Sequence, residues 1–205
     1  MPRRPDMQPL RREDLDPDPI LQFQAWFATA EREVPLPEAI TLATVDGSGD
    51  PDARMVLLKG VDERGFRFFT NDGSAKGAQL KQRPRAALIA YWRELDRQVR
   101  VRGSVERLPA EESDAYFASR SRESQLGAWA SPQSRPIVDR SALDERLEQA
   151  GQRFGSGPVS RPDYWGGYLV VPETVEFWQG QVGRLHDRFL YRRGADGWDL
   201  ERLAP

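Results

Sequence analysis

Apolar positions along the chain follow two different rhythms. From residue 20 to 33 they recur near helical spacing, with Leu21, Trp26, Phe27 and Ala30 on the repeat, and Pro35 and Pro37 stop the run, which predicts one helix. From Ile40 the runs shorten and turn signals separate them: ITLATV (40–45) meets DGSGDP, RMVLLKGV (54–61) meets DERG, and FRFFT (66–70) meets NDGS. This is how consecutive hairpin-connected strands read. Ser74 to Gln82 predicts a short helix with Ser74 as cap and Pro84 beyond its end. Strands then follow at 85–92 and 97–108. In the second, Val99, Val101 and Val105 alternate with Arg100, Arg102 and Glu106, and Gly103 interrupts the alternation as a bulge would. Helices are predicted at about 109–120 and 139–154 around a loop holding SRESQLGAWASPQS. Strands at 165–171 and 174–180, then RLHDRFLYRR and WDLERLAP, complete the chain. Strands that follow strands, with no G-x-G-x-x-G, argue against parallel βαβ units. They favour a mainly β, closed antiparallel barrel with helices packed outside.

The first 19 residues hold five prolines, many charges and few apolar groups, so a flexible arm is expected ahead of a single domain over 20–205. The start of the chain lacks the apolar stretch of a secretory signal and no window is long enough for a membrane helix, which makes a cytoplasmic protein the expectation. Composition narrows the chemistry. With no cysteine and only His186 as histidine, thiolate metal sites, disulfides, a Cys nucleophile and any site needing two imidazoles from one chain are excluded, so redox chemistry would need an organic cofactor. The 30 basic residues against 32 acidic ones leave a net charge of −2, which disfavours nucleic acid or an anionic membrane as partner.

Four clusters carry candidate chemistry. Arg54 and Lys59 end one predicted strand and, by alternation, face opposite sides, either into solvent or toward two anions. TNDGSAKG (70–77) has the turn, hydroxyl and Lys76 of an anion cradle at a helix start, although a plain capped helix with a solvated Lys is the more common source of such a pattern. Tyr116, Arg120 and Ser124 recur every four residues, which on a continuous helix makes a stripe of phenol, guanidinium and hydroxyl suited to phosphate. In WQGQVGRLHDR (178–188), strand alternation would gather Arg184, His186 and Arg188 on one face, either exposed or lining an anion site.

Taken together, RMVLLKG, FFTNDGSAKG, LDRQVRVRGSVERL, SRSRESQLGAWASPQS, YWGGYLV, EFWQGQVGRLHDRFLYRR and WDLERLAP, in this order, closely resemble the pyridoxamine 5′-phosphate oxidase family from about Leu15 to Pro205. The resemblance implies an FMN-binding split β-barrel and a homodimer with FMN at the subunit interface. It places Arg54, Met55, Val56, Leu57, Leu58, Lys59, Phe69, Thr70, Lys76, Gln98, Gln133, Ser134, Trp178 and Arg188 around FMN. Lys59, Tyr116, Arg120 and Ser124 fall around the substrate phosphate, with Arg184 and His186 over the substrate ring as the catalytic pair. The implied reaction of vitamin B6 metabolism oxidises pyridoxamine or pyridoxine 5′-phosphate to pyridoxal 5′-phosphate with O2 as acceptor, releasing H2O2 and, from the amine, NH3. In that setting Arg184 would orient the substrate and His186, neutral between arginines, would position it. Two features depart from the family pattern: Ala75 stands where an Arg usually precedes the lysine of the GS-x-K turn, and the arm MPRRPDMQPLRRED lacks an alignable Tyr. A related flavin oxidase of another ring, such as a dihydrophenazine carboxylate, and a non-catalytic flavin or pyridoxal-phosphate binder are the competing expectations.

Overall fold

A computed structural model describes residues 8–205. Its central feature is β7 (Trp165–Gln179), a long strand that serves two partners along one edge. On its other edge it pairs with β6 (Arg97–Arg107) over nearly its whole length. Residues 165–170 pair with β4 (Gly65–Asn71), whereas residues 174–179 pair with β8 (Asp187–Arg193), which in turn carries β9 (Trp198–Arg202). The two predicted strands at 165–171 and 174–180 are therefore one element, and this forked strand is where the barrel splits.

The main sheet runs β2-β1-β5-β6-β7-β4-β3, with antiparallel pairing throughout. Here β1 is Ala39–Val45, β2 is Pro51–Leu57, β3 is Gly60–Asp62 and β5 is Arg85–Trp92. The single strand expected over 54–61 is thus divided. The Leu58 amide still bonds to Glu38 beside β1, while the Lys59 amide bonds to Arg67 in β4, so the chain changes partner between these two residues and joins both ends of the sheet. Strand parity does not carry through that corner, and the opposite-face argument for Arg54 and Lys59 does not apply. Gly60 sits just after the corner, where a Cβ would lie 2.5 Å from the Arg67 guanidinium. Gly103 holds the expected bulge: the β6–β7 register shifts there, and a Cβ would approach the Val171 carbonyl to 1.8 Å.

Two apolar clusters result. Inside the barrel, Ile40, Leu42, Phe66, Phe68, Leu88, Val99, Val170 and Phe177 pack beneath α1 (Pro19–Glu33). That helix buries Ile20, Phe23, Trp26 and Ala30 and leaves Leu21 exposed, so its apolar stripe is rotated from the one the spacing suggested. Asp18 accepts the Ile20 amide and Pro19 occupies the first turn, an ordinary helix start. The second cluster, Phe117, Val159 and Trp165 with Phe69 and Tyr116, lies outside the barrel under α3 (Ala110–Ser119), α4 (Arg122–Ala130) and α5 (Arg140–Phe154).

Part of the expected arm belongs to the folded body. Residues 1–7 lie outside the described residues, but Leu10 and Leu15 are buried, Tyr191 donates to the Asp16 carbonyl at 2.6 Å and Gln179 to that of Gln8 at 2.9 Å. Two leucines with buried side chains and backbone bonds to β7 and β8 outweigh the proline-rich composition. No helix of the described residues is long and apolar enough to cross a membrane.

Candidate active site

A cavity of about 620 Å³ opens between the barrel corner, β4 and the helices of the outer cluster. Met55, Val56 and Leu57 from β2 form one wall, and Phe69 and Trp165 another. Tyr116 stacks on Phe69 with ring centroids 3.9 Å apart. The polar groups converge from four directions: Lys59 from the corner, Thr70 from β4, Lys76 from α2 (Ala75–Gln82), and Arg120, Ser121 and Ser124 from the α3–α4 junction. Gln133 comes in from the loop after α4 and accepts hydrogen bonds from both Lys76 Nζ and Thr70 Oγ1, each at 3.2 Å.

The α3–α4 junction differs from the expected stripe. Arg120 is extended, with φ −74° and ψ 153°, and Ser121 caps a new helix by accepting the Ser124 amide. Serine hydroxyls at a helix end compete with the backbone for its hydrogen bonds, so the chain restarts rather than continues. The segment read as a loop is α4. Tyr116, Arg120 and Ser124 still reach one cavity, but by a helix–turn–helix bend that also delivers Ser121.

Electrostatically the cavity is one-sided. Among the described residues its lining includes Lys59, Lys76 and Arg120 and no carboxylate. Burial holds the Arg120 guanidinium below its ordinary value, with Tyr116 acting against the shift, and burial raises the Tyr116 phenol while Arg120 opposes it. Arg120 lies 4.8 Å from the Trp165 ring centroid, and its Nη1 is buried without a hydrogen-bond partner among the described residues. Desolvation lowers Lys76 most, the nearby Arg54 lowers it further, and Asp52 acts in the opposite sense. A desolvated guanidinium nitrogen and a desolvated ammonium in the lining of one cavity offer charged donors to anionic oxygens. The donors Lys76, Thr70 and Gln133 beside an apolar wall suit a phosphorylated aromatic cofactor, and Lys59, Tyr116, Arg120, Ser121 and Ser124 suit a second phosphate. Ala75 is exposed in the first turn of α2, directly before Lys76.

Several expected residues lie elsewhere in this chain. Arg54 does not line the cavity; its guanidinium donates to Asp52, Thr44 Oγ1 and Gln79 Oε1. Leu58 points into the barrel core, and Ser134, at φ +68°, lies next to Gln133 without lining the cavity. Gln98, Trp178 and Arg188 form one row across β6, β7 and β8, since Gln98 pairs with Trp178 and Trp178 with Arg188. Glu176 accepts Arg188 Nε at 2.9 Å, and the His186 ring packs on Trp178 at 4.6 Å. The expected strand through 184–188 begins only at Asp187. Arg184 sits in a 3-10 turn at φ +64°, next to Gly183 at φ +70°, so alternation does not set the directions of Arg184 and His186. Arg184 is exposed, between Val182 at 83% and Leu185 at 72% exposure.

Sequence reasoning missed Ser121, Asn71, Ser131 and Trp165 as cavity residues. For Ser121 a signal was present: a serine followed by Glu123 and Ser124 reads as a helix start. Nothing in the local pattern of Trp165 separates a cavity wall from a core aromatic.

Residues 28–154 match the family profile described as "Pyridoxamine 5′-phosphate oxidase", and residues 165–205 match "Pyridoxine 5′-phosphate oxidase C-terminal dimerisation region". The chain is 53% identical over 199 residues to a pyridoxine/pyridoxamine 5′-phosphate oxidase of Acaryochloris marina, covering 97% of this chain and 91% of that protein. It is 55% identical over 196 residues to one from Burkholderia mallei, covering 94% and 91%. Among solved structures, PhzG from Burkholderia lata in complex with tetrahydrophenazine-1-carboxylic acid superposes with a TM-score of 0.89 at 32% identity, covering 98% of each chain. A pyridoxamine 5′-phosphate oxidase-related, FMN-binding protein from Nostoc punctiforme shares the fold at a TM-score of 0.71 and 22% identity, covering 89% of this chain and 96% of that one.

Proposed function

The chain belongs to the pyridoxamine 5′-phosphate oxidase family of FMN-dependent oxidoreductases, and from that premise we propose that it oxidises pyridoxamine 5′-phosphate and pyridoxine 5′-phosphate to pyridoxal 5′-phosphate. One observation supports the substrate: the cavity lining offers more phosphate-suited donors than one phosphate needs, Lys76, Thr70 and Gln133 linked by hydrogen bonds and Lys59, Tyr116, Arg120, Ser121 and Ser124 beside them, with no carboxylate among the described residues. A cofactor phosphate satisfies one set and a substrate phosphate the other. Lys76, Thr70 and Gln133 hold FMN, and Met55, Val56 and Leu57 wall its ring. FMN, when bound, would supply the two-electron acceptor for the substrate carbon, with O2 as the final acceptor reduced to H2O2.

The protein's part is binding and orientation. Arg120, Lys59, Tyr116, Ser121 and Ser124 fix the substrate phosphate and so set the distance at which its ring stands. Arg184 and His186 lie over that ring, Arg184 orienting it and stabilising charge as hydride leaves. In one chain neither residue lines the cavity, and both sit on an exposed loop flanked by apolar side chains. In the proposed homodimer, the 181–186 loop and the Gln98–Trp178–Arg188 row of one protomer complete the cavity of its partner. The match of residues 165–205 to a dimerisation region supports this reading, because those residues include the loop.

Adding pyridoxamine 5′-phosphate without oxygen to the yellow, FMN-loaded protein is expected to bleach its visible spectrum, and admitting air to restore the colour with formation of pyridoxal 5′-phosphate. An unbleached spectrum rejects the reading. The likeness to PhzG favours a second one, oxidation of a reduced phenazine carboxylate. Side-by-side anaerobic bleaching by the two substrates separates them, since a substrate without phosphate leaves Arg120 unpaired. No bleaching by either substrate leaves a non-catalytic flavin binder.

A further inference from the structure

The loop that carries Arg184 and His186 is held at its base by two residues to which no role has been assigned. Gln181 opens the loop and spans it twice: its backbone amide donates to His186 Nδ1 at 3.1 Å, and its side-chain Nε2 donates to Asp187 Oδ2 at 2.8 Å. Asp187 closes the loop, is 2% exposed, and accepts three hydrogen bonds. Its Oδ2 also accepts the Leu10 amide at 2.9 Å, and its Oδ1 accepts Arg202 from β9. Between these ends, Gly183 and Arg184 both have positive φ, a conformation that costs a non-glycine residue energy and persists only when its surroundings hold it.

We propose that Gln181 and Asp187 are positioning residues, a clasp that holds Arg184 in its left-handed turn and fixes the tautomer of His186. A nitrogen that accepts an amide N–H carries no proton of its own, so the neutral imidazole has its proton on Nε2. Nε2–H is therefore the donor the ring offers to whatever lies beyond it, while Trp178 supports one of its faces. The clasp reaches the reaction only through Arg184 and His186, so its catalytic consequence rests on the function proposed above, whereas its structural content does not.

Because the chain has one histidine, nitrogen-15 NMR of the imidazole reads the tautomer without assignment ambiguity. In the FMN-loaded protein the wild type is expected to show a single neutral tautomer protonated at Nε2. Gln181→Ala keeps the amide but loses the side-chain brace, and is expected to give averaged tautomers and about a tenfold to hundredfold lower rate of anaerobic flavin bleaching at unchanged flavin content. Asp187→Asn is expected to act in the same direction, and Gln181→Glu, which cannot donate to Asp187, to match Gln181→Ala. If Asp187→Asn does not fold, the two Gln181 variants carry the test. A wild-type spectrum with the proton on Nδ1, or a Gln181→Ala spectrum identical to wild type, overturns the clasp. Averaged tautomers with an unchanged bleaching rate uphold the clasp and overturn instead the placing of His186 over the substrate ring.

Discussion

The cavity beneath α3 and α4 and the loop after β7 both concentrate basic residues, yet they treat them in opposite ways. In the cavity, Arg120 and Lys76 are desolvated, and among the described residues no carboxylate is part of the lining and one guanidinium nitrogen is buried without a partner. Around the loop, acids are built in: Glu176 holds Arg188 and Arg100, and Asp187 holds Arg202. Uncompensated burial of a cation is costly unless an anion repays it, so the first region is shaped to receive one. In the second region Arg188, Arg100 and Arg202 are paired with acids of the same chain, while Arg184 stands exposed on the loop. Under the proposed function one region is the receptor and the other the group held toward a partner's receptor, and in the single chain Arg184 and His186 do not line the cavity.

The division of labour can be broken experimentally. The largest effect is expected from Arg184→Ala: turnover falls about a hundredfold or more through lost orientation, while flavin content stays at the wild-type level. Equal losses of turnover and flavin would show that the loop is part of the receptor. Next is Arg120→Ala, which removes charge-assisted hydrogen bonds worth about 1.5–3 kcal/mol and is expected to raise KM for the phosphorylated substrate roughly tenfold to a hundredfold. Flavin affinity, followed by fluorescence quenching, should change little. A parallel loss of FMN would mean that the two donor sets serve one anion. The smallest effect concerns pH. Lys76 is held below the ordinary lysine value, so the free site loses its proton at lower pH than an exposed lysine, whereas a bound phosphate draws the value back up. FMN affinity is therefore full below the depressed value, falls by at most about tenfold per pH unit as pH rises through the interval, and levels off above it. Lys76→Arg keeps its charge across that interval, so its affinity profile should be flat. An equally sloped Lys76→Arg profile would assign the titration to another group.

Residue periodicity made much of the barrel legible. Alternation in 97–108 and the interruption at Gly103 translated directly into β6 and its bulge, because a strand with one buried face has only one acceptable register. Local rhythm failed where the chain changes partner or restarts a helix. Leu58 and Lys59 continue an apolar run, but their amides bond to different strands, and Arg120 and Ser121 interrupt a four-residue repeat that on paper looks unbroken. Both misread positions contribute to the candidate site, since a side chain that must leave the regular pattern to meet others across the fold is badly described by that pattern.

Residue identity alone determined which chemistry was available: no thiolate, a single imidazole, and arginines and lysines enough for two phosphates. Ordered motifs also made the family recognisable. Tertiary structure alone decided which cations are desolvated in one cavity and which are neutralised on a neighbouring face. It also decided that the sole imidazole is held by an amide five residues before it. The physical reason is that residue type sets a group's charge and hydrogen-bonding capacity, whereas burial and partners set what that capacity is worth, and those depend on contacts between segments far apart in the chain.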